Sequence, residues 1–179
     1  MISLKRIFFV ILWCLFSAVS SAETGLSFSN ILISKDPENL HTYRFSTWDQ
    51  PESLKWKHVH IYFDASIAHW WISENMPNHE LNIIAVTPIL RYYFATNPYF
   101  SPFFNVGIGP SYLSKTVIDN QQLGMHFAFQ DQVGLGATVG KTQALSILFS
   151  AFHYSNGSLG AHNSGITVPM MLTAEYRIA

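Results

Sequence analysis

The chain has 179 residues, of which 49% are hydrophobic, 15% are aromatic and only 12% are charged, with a formal net charge of −1. This length fits one domain, the absence of a basic run argues against a nucleic acid partner, and the charge is sparse for a soluble surface. The single cysteine, Cys14, lies in the N-terminal segment, so the rest of the chain has no disulfide or thiol chemistry.

Residues 1–22 predict a secretory signal peptide. A basic start with Lys5 and Arg6 precedes an apolar run over 7–16, and a small-residue cleavage site ends at Ala22. The run is too short to span a membrane comfortably as an uncleaved helix. Cleavage leaves 8 basic against 11 acidic residues, a formal charge of 8 − 11 = −3, and one domain over 23–179.

Residues 23–179 predict an all-β fold, an eight-stranded antiparallel outer-membrane β-barrel. Eight alternating segments are separated by turn residues and lie near 24–33, 41–49, 55–71, 79–94, 99–112, 124–140, 143–155 and 165–178. Low charge, aromatic residues near the segment ends and apolar residues on one face are typical of a wall that contacts lipid. The alternative is a soluble lipocalin-like barrel, in which the apolar face points into the barrel and the polar face points to solvent. The first, second and fourth segments alternate poorly.

The alternation assigns a face to each residue. In the eighth segment, the predicted outward residues are Ile166, Val168, Met170, Leu172, Ala174 and Ile178. The predicted lumen residues there are Thr173, Glu175 and Arg177. We expect the lumen charges of the barrel to pair with one another inside it, namely Asp64, Arg91, Glu175 and Arg177.

The seventh segment carries two reactive side chains on its apolar face. Its outward residues are Leu145, Ile147, Phe149 and Ala151, and the same parity continues to His153 and Ser155. With a periplasmic N-terminus this strand runs outward, so both residues lie near the outer leaflet. A hydroxyl beside an imidazole is the arrangement of a serine nucleophile and its base. The alternative is that these groups lie above the hydrocarbon and only contact headgroups or water.

The short turn before this strand predicts which residue faces His153. If Val139 and Leu145 pair, Asp131 falls opposite His153 and shares its outward parity. Polar groups on a lipid-facing surface are costly, which indicates a function.

Two motifs carry a resemblance to a known family: His153-Tyr154-Ser155-Asn156 and Asn163-x-Gly165-Ile166. They are similar to motifs of the PagL family, the lipid A 3-O-deacylases, and the likeness extends over nearly all of 23–179. The resemblance implies a serine esterase, integral to the bacterial outer membrane, that removes the 3-O-linked acyl chain of lipid A in lipopolysaccharide.

On that resemblance Ser155 is the nucleophile and His153 the base, and Asn156 forms the oxyanion hole with the backbone N–H of Gly157. The implied partners are lipid A and outer-membrane lipids, with no nucleic acid, and a homodimer is a further expectation. No cofactor or metal is implied. His58 and His60 share a face, but no third clear ligand completes a metal site with them.

One position departs from the family pattern. Where the family carries a glutamate that orients the histidine, this chain has Thr167. Glu175 lies about 27 Å further along the strand, so Asp131 is the one carboxylate that could replace it. Three interpretations follow: a triad with Asp131, a slow dyad, or an inactive relative. The alternative function is therefore a catalytically weak or inactive small barrel with a structural, adhesin or integrity role.

Overall fold

The computed structural model describes residues 22–73 and 78–178. Eight long antiparallel strands close into a barrel, which confirms the predicted fold. The strands of the barrel are β1 (Ala22–Ile33), β2 (Leu40–Pro51), β3 (Val59–Ile72), β4 (Glu80–Tyr93), β5 (Phe100–Leu113), β8 (Phe127–Val139), β9 (Leu145–Ser155) and β10 (Ile166–Arg177). A two-stranded hairpin, β6 (Val117–Ile118) and β7 (Gln121–Gln122), precedes β8, and one 3-10 turn covers Glu52–Leu54.

The predicted signal peptide lies outside the described residues except for Ala22, the first residue of β1, and its cleavage stays a prediction. In the part of the chain that the structure describes, no helix is long and apolar enough to cross a membrane.

The outer wall of the barrel is apolar. Large hydrophobic side chains are exposed on every strand of the barrel, among them Leu26, Phe45, Ile67, Ile84, Ile108, Leu135, Phe149 and Tyr176. β2 and β4 alternate regularly between buried and exposed residues, although their sequences alternate poorly, because both faces of β4 carry apolar side chains and both faces of β2 mix polar and apolar ones. Such a wall is stable only against a hydrocarbon environment.

The barrel interior has two different regions. Between the middle and the short-turn end, buried charges pair: Arg44 with Asp64, and Arg91 with Glu175 at 2.6 Å. Arg177 pairs with Glu23 at that end. All four expected lumen charges are therefore paired, but only Arg91 and Glu175 pair with each other, since the partners of Asp64 and Arg177 are Arg44 and Glu23. At the opposite end, which carries the longer loops, the interior is an apolar cluster that includes Trp70, Leu81, Ile83, Leu113, Phe152, Tyr154, Ile166, Val168 and Met171.

The predicted register of β8 and β9 is confirmed. Val139 pairs with Leu145, and the ladder continues without interruption to Asp131 opposite His153. An unbroken antiparallel ladder preserves side-chain parity, so residues two apart on β9 stay on one face.

The predicted faces of β10 are wrong at its loop end. Ile166 and Val168 are fully buried in the lumen, whereas Leu172 and Ala174 face outward as predicted. A bulge between Val168 and Met171 gives β10 one more residue than β9 at this level and inverts the parity beyond it. Pro169 lies in the bulge, where its missing N–H removes no ladder bond.

Candidate active site

Three polar side chains form one row across neighbouring strands on the outer wall. Asp131 of β8 pairs with His153 of β9, and His153 pairs with Thr167 of β10. Directly paired residues of an antiparallel sheet project from the same face with their Cβ atoms about 5 Å apart. Asp131, His153 and Thr167 are each half-buried, and the residues on either side of His153 and Thr167 are buried in the lumen. The bulge in β10 therefore brings Thr167 to the same face as His153.

The strand that carries His153 and Ser155 is anchored from the inside. Phe152 and Tyr154 alternate with them and are buried in the lumen. The Tyr154 hydroxyl donates a 2.6 Å hydrogen bond to Oε1 of Gln130, and its ring packs edge-on against Trp70. A packed and hydrogen-bonded inner face holds the two outward side chains at fixed positions.

The His153 ring is oriented by β10. Its Nδ1 lies 3.1 Å from Oγ1 of Thr167. Gly165 lies against the ring, because a Cβ built at this position would be 2.8 Å from Cε1 and 3.3 Å from Nε2 of His153. Gly165 also has φ +74°, which glycine adopts at little cost. Within the described residues, His153 forms no ion pair with Asp131, although the two are cross-strand partners.

Ser155 lies one step beyond His153 on the same outward face. It pairs with Phe129 of β8, whose ring edge would be 3.1 Å from a Cβ at Gly157. In the part of the chain that the structure describes, no hydrogen bond joins the Ser155 hydroxyl to the imidazole. Their Cα atoms are about 6.6 Å apart at strand rise, which side-chain rotation can bridge. Such contacts often tighten only when substrate binds.

The Asn156 side chain holds the loop after β9. It is fully buried, and its Nδ2 donates 2.7 Å hydrogen bonds to the carbonyls of Leu123 and His162. Its Oδ1 accepts the N–H of Ser158 at 2.9 Å. Both side-chain donors of Asn156 are thus occupied in this conformation, which assigns the side chain to loop structure. The backbone N–H of Gly157, at φ +61°, stays the other predicted oxyanion donor.

Two residues near the site were not assigned a role from sequence. Asn163 accepts the backbone N–H of Asn156 through Oδ1 at 2.9 Å, which closes the loop. Asp36, from the segment between β1 and β2, forms an antiparallel bridge with Thr167. Asp36 precedes a proline and reads as a turn residue, so no local signal connects it to β10.

An apolar groove runs around the outer wall from the site. It has a volume of about 640 Å³ and begins at His153 and Thr167. Ala151 of β9 lines it next, and outward residues of four more strands follow, including Val133, Val106, Ile108, Leu90 and Ile61. Asp131 is the one acidic side chain in its lining.

Within the described ranges 22–73 and 78–178, no group of three or more His, Cys, Asp or Glu residues is placed to hold a metal ion.

Comparison with protein families adds an independent finding. The family model described as lipid A 3-O-deacylase (PagL) matches residues 41–176. The lipid A deacylase PagL of Pseudomonas aeruginosa is 32% identical over 131 residues, which cover 70% of this chain and 72% of the relative. The lipid A deacylase PagL of Bordetella bronchiseptica is 24% identical over 131 residues, which cover 73% of this chain and 69% of that relative.

Solved structures have the same fold. The crystal structure of the outer membrane enzyme PagL superposes with a TM-score of 0.69 at 23% identity, covering 88% of this chain and 100% of that one. Neisserial surface protein A superposes with a TM-score of 0.53 at 7% identity, covering 88% of this chain and 96% of that one. At these identities the likeness concerns the fold alone.

Proposed function

This chain belongs to the PagL family of lipid A 3-O-deacylases, and from this membership we propose that it is an integral outer-membrane hydrolase that removes the 3-O-linked acyl chain of lipid A. The family match covers the strands that carry the row of Asp131, His153 and Thr167. The observation that carries the proposal is that His153 and Ser155 share the outer wall while Thr167 holds the ring from the side. The comparisons do not favour a purely structural barrel.

In the proposed reaction, Ser155 is the nucleophile and His153 the general base. Oγ of Ser155 attacks the ester carbonyl carbon while Nε2 of His153 takes the hydroxyl proton. The imidazolium returns this proton to the departing 3-hydroxyl oxygen, which leaves an acyl-serine. Water, deprotonated by His153, then attacks the acyl-serine, releases the fatty acid and restores the Ser155 hydroxyl.

The contact between His153 and Thr167 supports this division of roles. When Thr167 Oγ1 accepts the proton on Nδ1, the other ring nitrogen, Nε2, is unprotonated and can act as a base. Gly165 leaves room for the ring at this position. Thr167, at the position of the family's acid, is therefore proposed as the group that orients His153. Asp131 stays the predicted alternative.

Stabilisation of the tetrahedral oxyanion is assigned to the turn after Ser155. We propose the backbone N–H of Gly157 as one donor, since glycine at this positive φ allows close approach of substrate. The Asn156 side chain supports that turn through its bonds to Leu123 and His162. In this proposal, Asn156 contributes to the oxyanion hole by holding the turn.

The apolar groove supports a lipid substrate. Because outward-facing apolar side chains line most of it, an acyl chain can enter it by lateral diffusion without leaving hydrocarbon. The groove reaches His153 at one end, where the ester would lie. Lipid A in the outer leaflet and the surrounding membrane lipids are the proposed partners, and a homodimer stays a prediction.

The test compares Ser155→Ala with Ser150→Ala, which removes a buried lumen-facing hydroxyl from the same strand. Each folded barrel is incubated with lipid A, and loss of a 3-hydroxyacyl chain is followed by mass spectrometry. We expect Ser155→Ala to lower the rate by about 10³-fold or more and Ser150→Ala to leave it unchanged. Equal activity in Ser155→Ala, or a wild-type protein that leaves lipid A intact, would overturn the proposed function.

A further inference from the structure

The segment between β1 and β2 is docked on β10 at Thr167, the residue that contacts the proposed base. Asp36 and Thr167 exchange both backbone hydrogen bonds: Thr167 N–H donates to the Asp36 carbonyl at 2.9 Å, and Asp36 N–H donates to the Thr167 carbonyl at 3.3 Å. The Lys35 N–H reaches the same Thr167 carbonyl at 3.3 Å. The row on the outer wall therefore continues past Thr167 to Asp36.

The pairing determines where the Asp36 side chain emerges. Residues that exchange both hydrogen bonds are a directly opposed antiparallel pair, with Cα atoms about 5.5 Å apart and side chains on one face. Thr167 faces outward, because Ile166 and Val168 on either side of it are fully buried in the lumen. Asp36 is half-buried and stands on the side of Thr167 away from His153.

In the proposed reaction His153 becomes a positively charged imidazolium. A negative charge at the position of Asp36 therefore matters for catalysis. A threonine hydroxyl can accept the Nδ1 proton but carries no charge to stabilise an imidazolium. Once it accepts that proton, its own proton is available to a second acceptor. The residue bridged to Thr167 through its backbone is Asp36, and in the described residues no hydrogen bond yet joins their side chains; Asp131 lies two strands away from Thr167.

We propose that Asp36 supplies the negative charge of the catalytic site through Thr167, in a chain from His153 Nδ1–H to Thr167 Oγ1–H to the Asp36 carboxylate. Asp36 is a positioning residue, since it acts through Thr167 and not on substrate. This inference rests on the proposed roles of Ser155 and His153.

Asp36→Asn tests the role of this charge, because it replaces the carboxylate with a neutral amide of similar size. The docking of residue 36 on β10 uses only backbone groups, so the amide removes the charge while the bridge is kept. At the loop end, the titratable and charged groups on elements beside His153 are Asp131 on β8, His162 in the loop after β9, and Lys35 and Asp36. Glu175 and Arg177 of β10 lie near the short-turn end. Glu38→Gln is the matched control, because it removes an exposed carboxylate two residues further along the same segment.

The measurements are lipid A deacylation and the rate at which a serine-directed, lipid-like phosphonate labels Ser155, each as a function of pH. Loss of a directly bonded acid costs about 10⁴-fold in a serine protease, and because Asp36 acts through a hydroxyl we expect a fall of about 10- to 100-fold in kcat with little change in KM. Removal of a negative charge near the catalytic site should move the acid limb of both pH profiles to lower pH, which a purely structural loss would not do. Glu38→Gln should change neither.

A second pair of variants distinguishes the loss of the Asp36 charge from a general loss of structure. In Thr167→Glu the new carboxylate can bond Nδ1 directly, so adding Asp36→Asn should cause no further loss. Equal behaviour of Asp36→Asn and Glu38→Gln, or a shifted acid limb in Asp131→Asn alone, would overturn the assignment of Asp36. Phosphonate labelling does not depend on lipid A, so an Asp36 effect on labelling without lipid A turnover would disprove only the substrate. An inert Ser155 in both assays would disprove the proposed function itself.

Discussion

Strands β9 and β10 lie side by side and both bring residues to the site, but they do so by different means. β9 is paired with β8 without interruption from Leu145 to Ser155, and its outward parity is continuous. β10 has a bulge at Pro169 and Met170, and the parity on its two sides is opposite. The proposed nucleophile and base lie on the regular strand, and the group that orients the base lies beyond the bulge.

The extra residue in β10 changes which side chains of this strand face outward. A strand with regular alternation would not bring Thr167 to the outer wall. Without the bulge, Thr167 would face the lumen beside Tyr154, and Ile166 would occupy the outer wall. With it, Thr167 reaches Nδ1 of His153 and Ile166 joins the buried cluster. A bulge next to an active site commonly re-aims one side chain in this way.

The largest effect is expected from removing the bulge. Deletion of Met170 should shift 166–168 by one position against β9, which turns Thr167 inward and exposes Val168. We expect deacylation to fall by about 10³-fold, because His153 loses its orienting partner and Gly165 no longer lies against the ring. Mass spectrometry of lipid A measures the loss, and heat-modifiable gel mobility measures the folded fraction. Met170→Leu keeps the register and should retain activity; a folded, fully active deletion variant would contradict the role of the bulge.

A smaller effect is expected from changing the two residues that flank His153, Thr167 on β10 and Asp131 on β8. Thr167→Ala removes the hydroxyl on the β10 side and should lower kcat by about 10- to 100-fold, while Thr167→Ser should stay close to wild type. Asp131→Asn changes the β8 side, where His153 makes no ion pair, and should cost less than about threefold. Steady-state kinetics on lipid A provide the comparison. The opposite order, with Asp131→Asn the more damaging change, would assign the acid to β8.

The smallest effect is expected from filling the space between residue 165 and the His153 ring. Gly165→Ala should displace the imidazole, because its Cβ would lie 2.8 Å from Cε1 of His153. We expect activity to fall by about tenfold and the free energy of unfolding by about 1–2 kcal/mol, since alanine at φ +74° is strained. Gly140→Ala is the matched control: its φ is +81°, but nothing lies within 4 Å of its Cβ. Denaturant unfolding should show a similar loss for both variants, and equal activity in both would argue against the ring contact.

The regular parts of the molecule could be predicted from the sequence. Period-two alternation predicts strands and faces wherever the ladder is unbroken, which is why the strand count and the pairing of Asp131 with His153 are confirmed. β2 and β4 alternate in the structure despite poor sequence alternation, because β4 has apolar residues on both faces and β2 has polar and apolar residues on both. Alternation alone does not identify such strands, so their predicted boundaries depend mainly on the turn residues between them.

The site could be predicted only in part. His153 and Ser155 were located because they continue the parity of β9, which is local information. The contact of Thr167 with His153, the docking of Asp36 on β10 and the contact of Asn156 with the Leu123 carbonyl each join residues on different elements. No propensity or spacing encodes such contacts, since each depends on how the barrel closes.

By itself, the sequence determined that the wall of this protein is apolar and that an imidazole and a hydroxyl project from it, because side-chain parity is a property of the local backbone. Only the tertiary structure decided which groups surround that imidazole. A single bulge and a docked loop set those neighbours, and their positions follow from hydrogen bonds between segments that the chain brings together on closing the barrel.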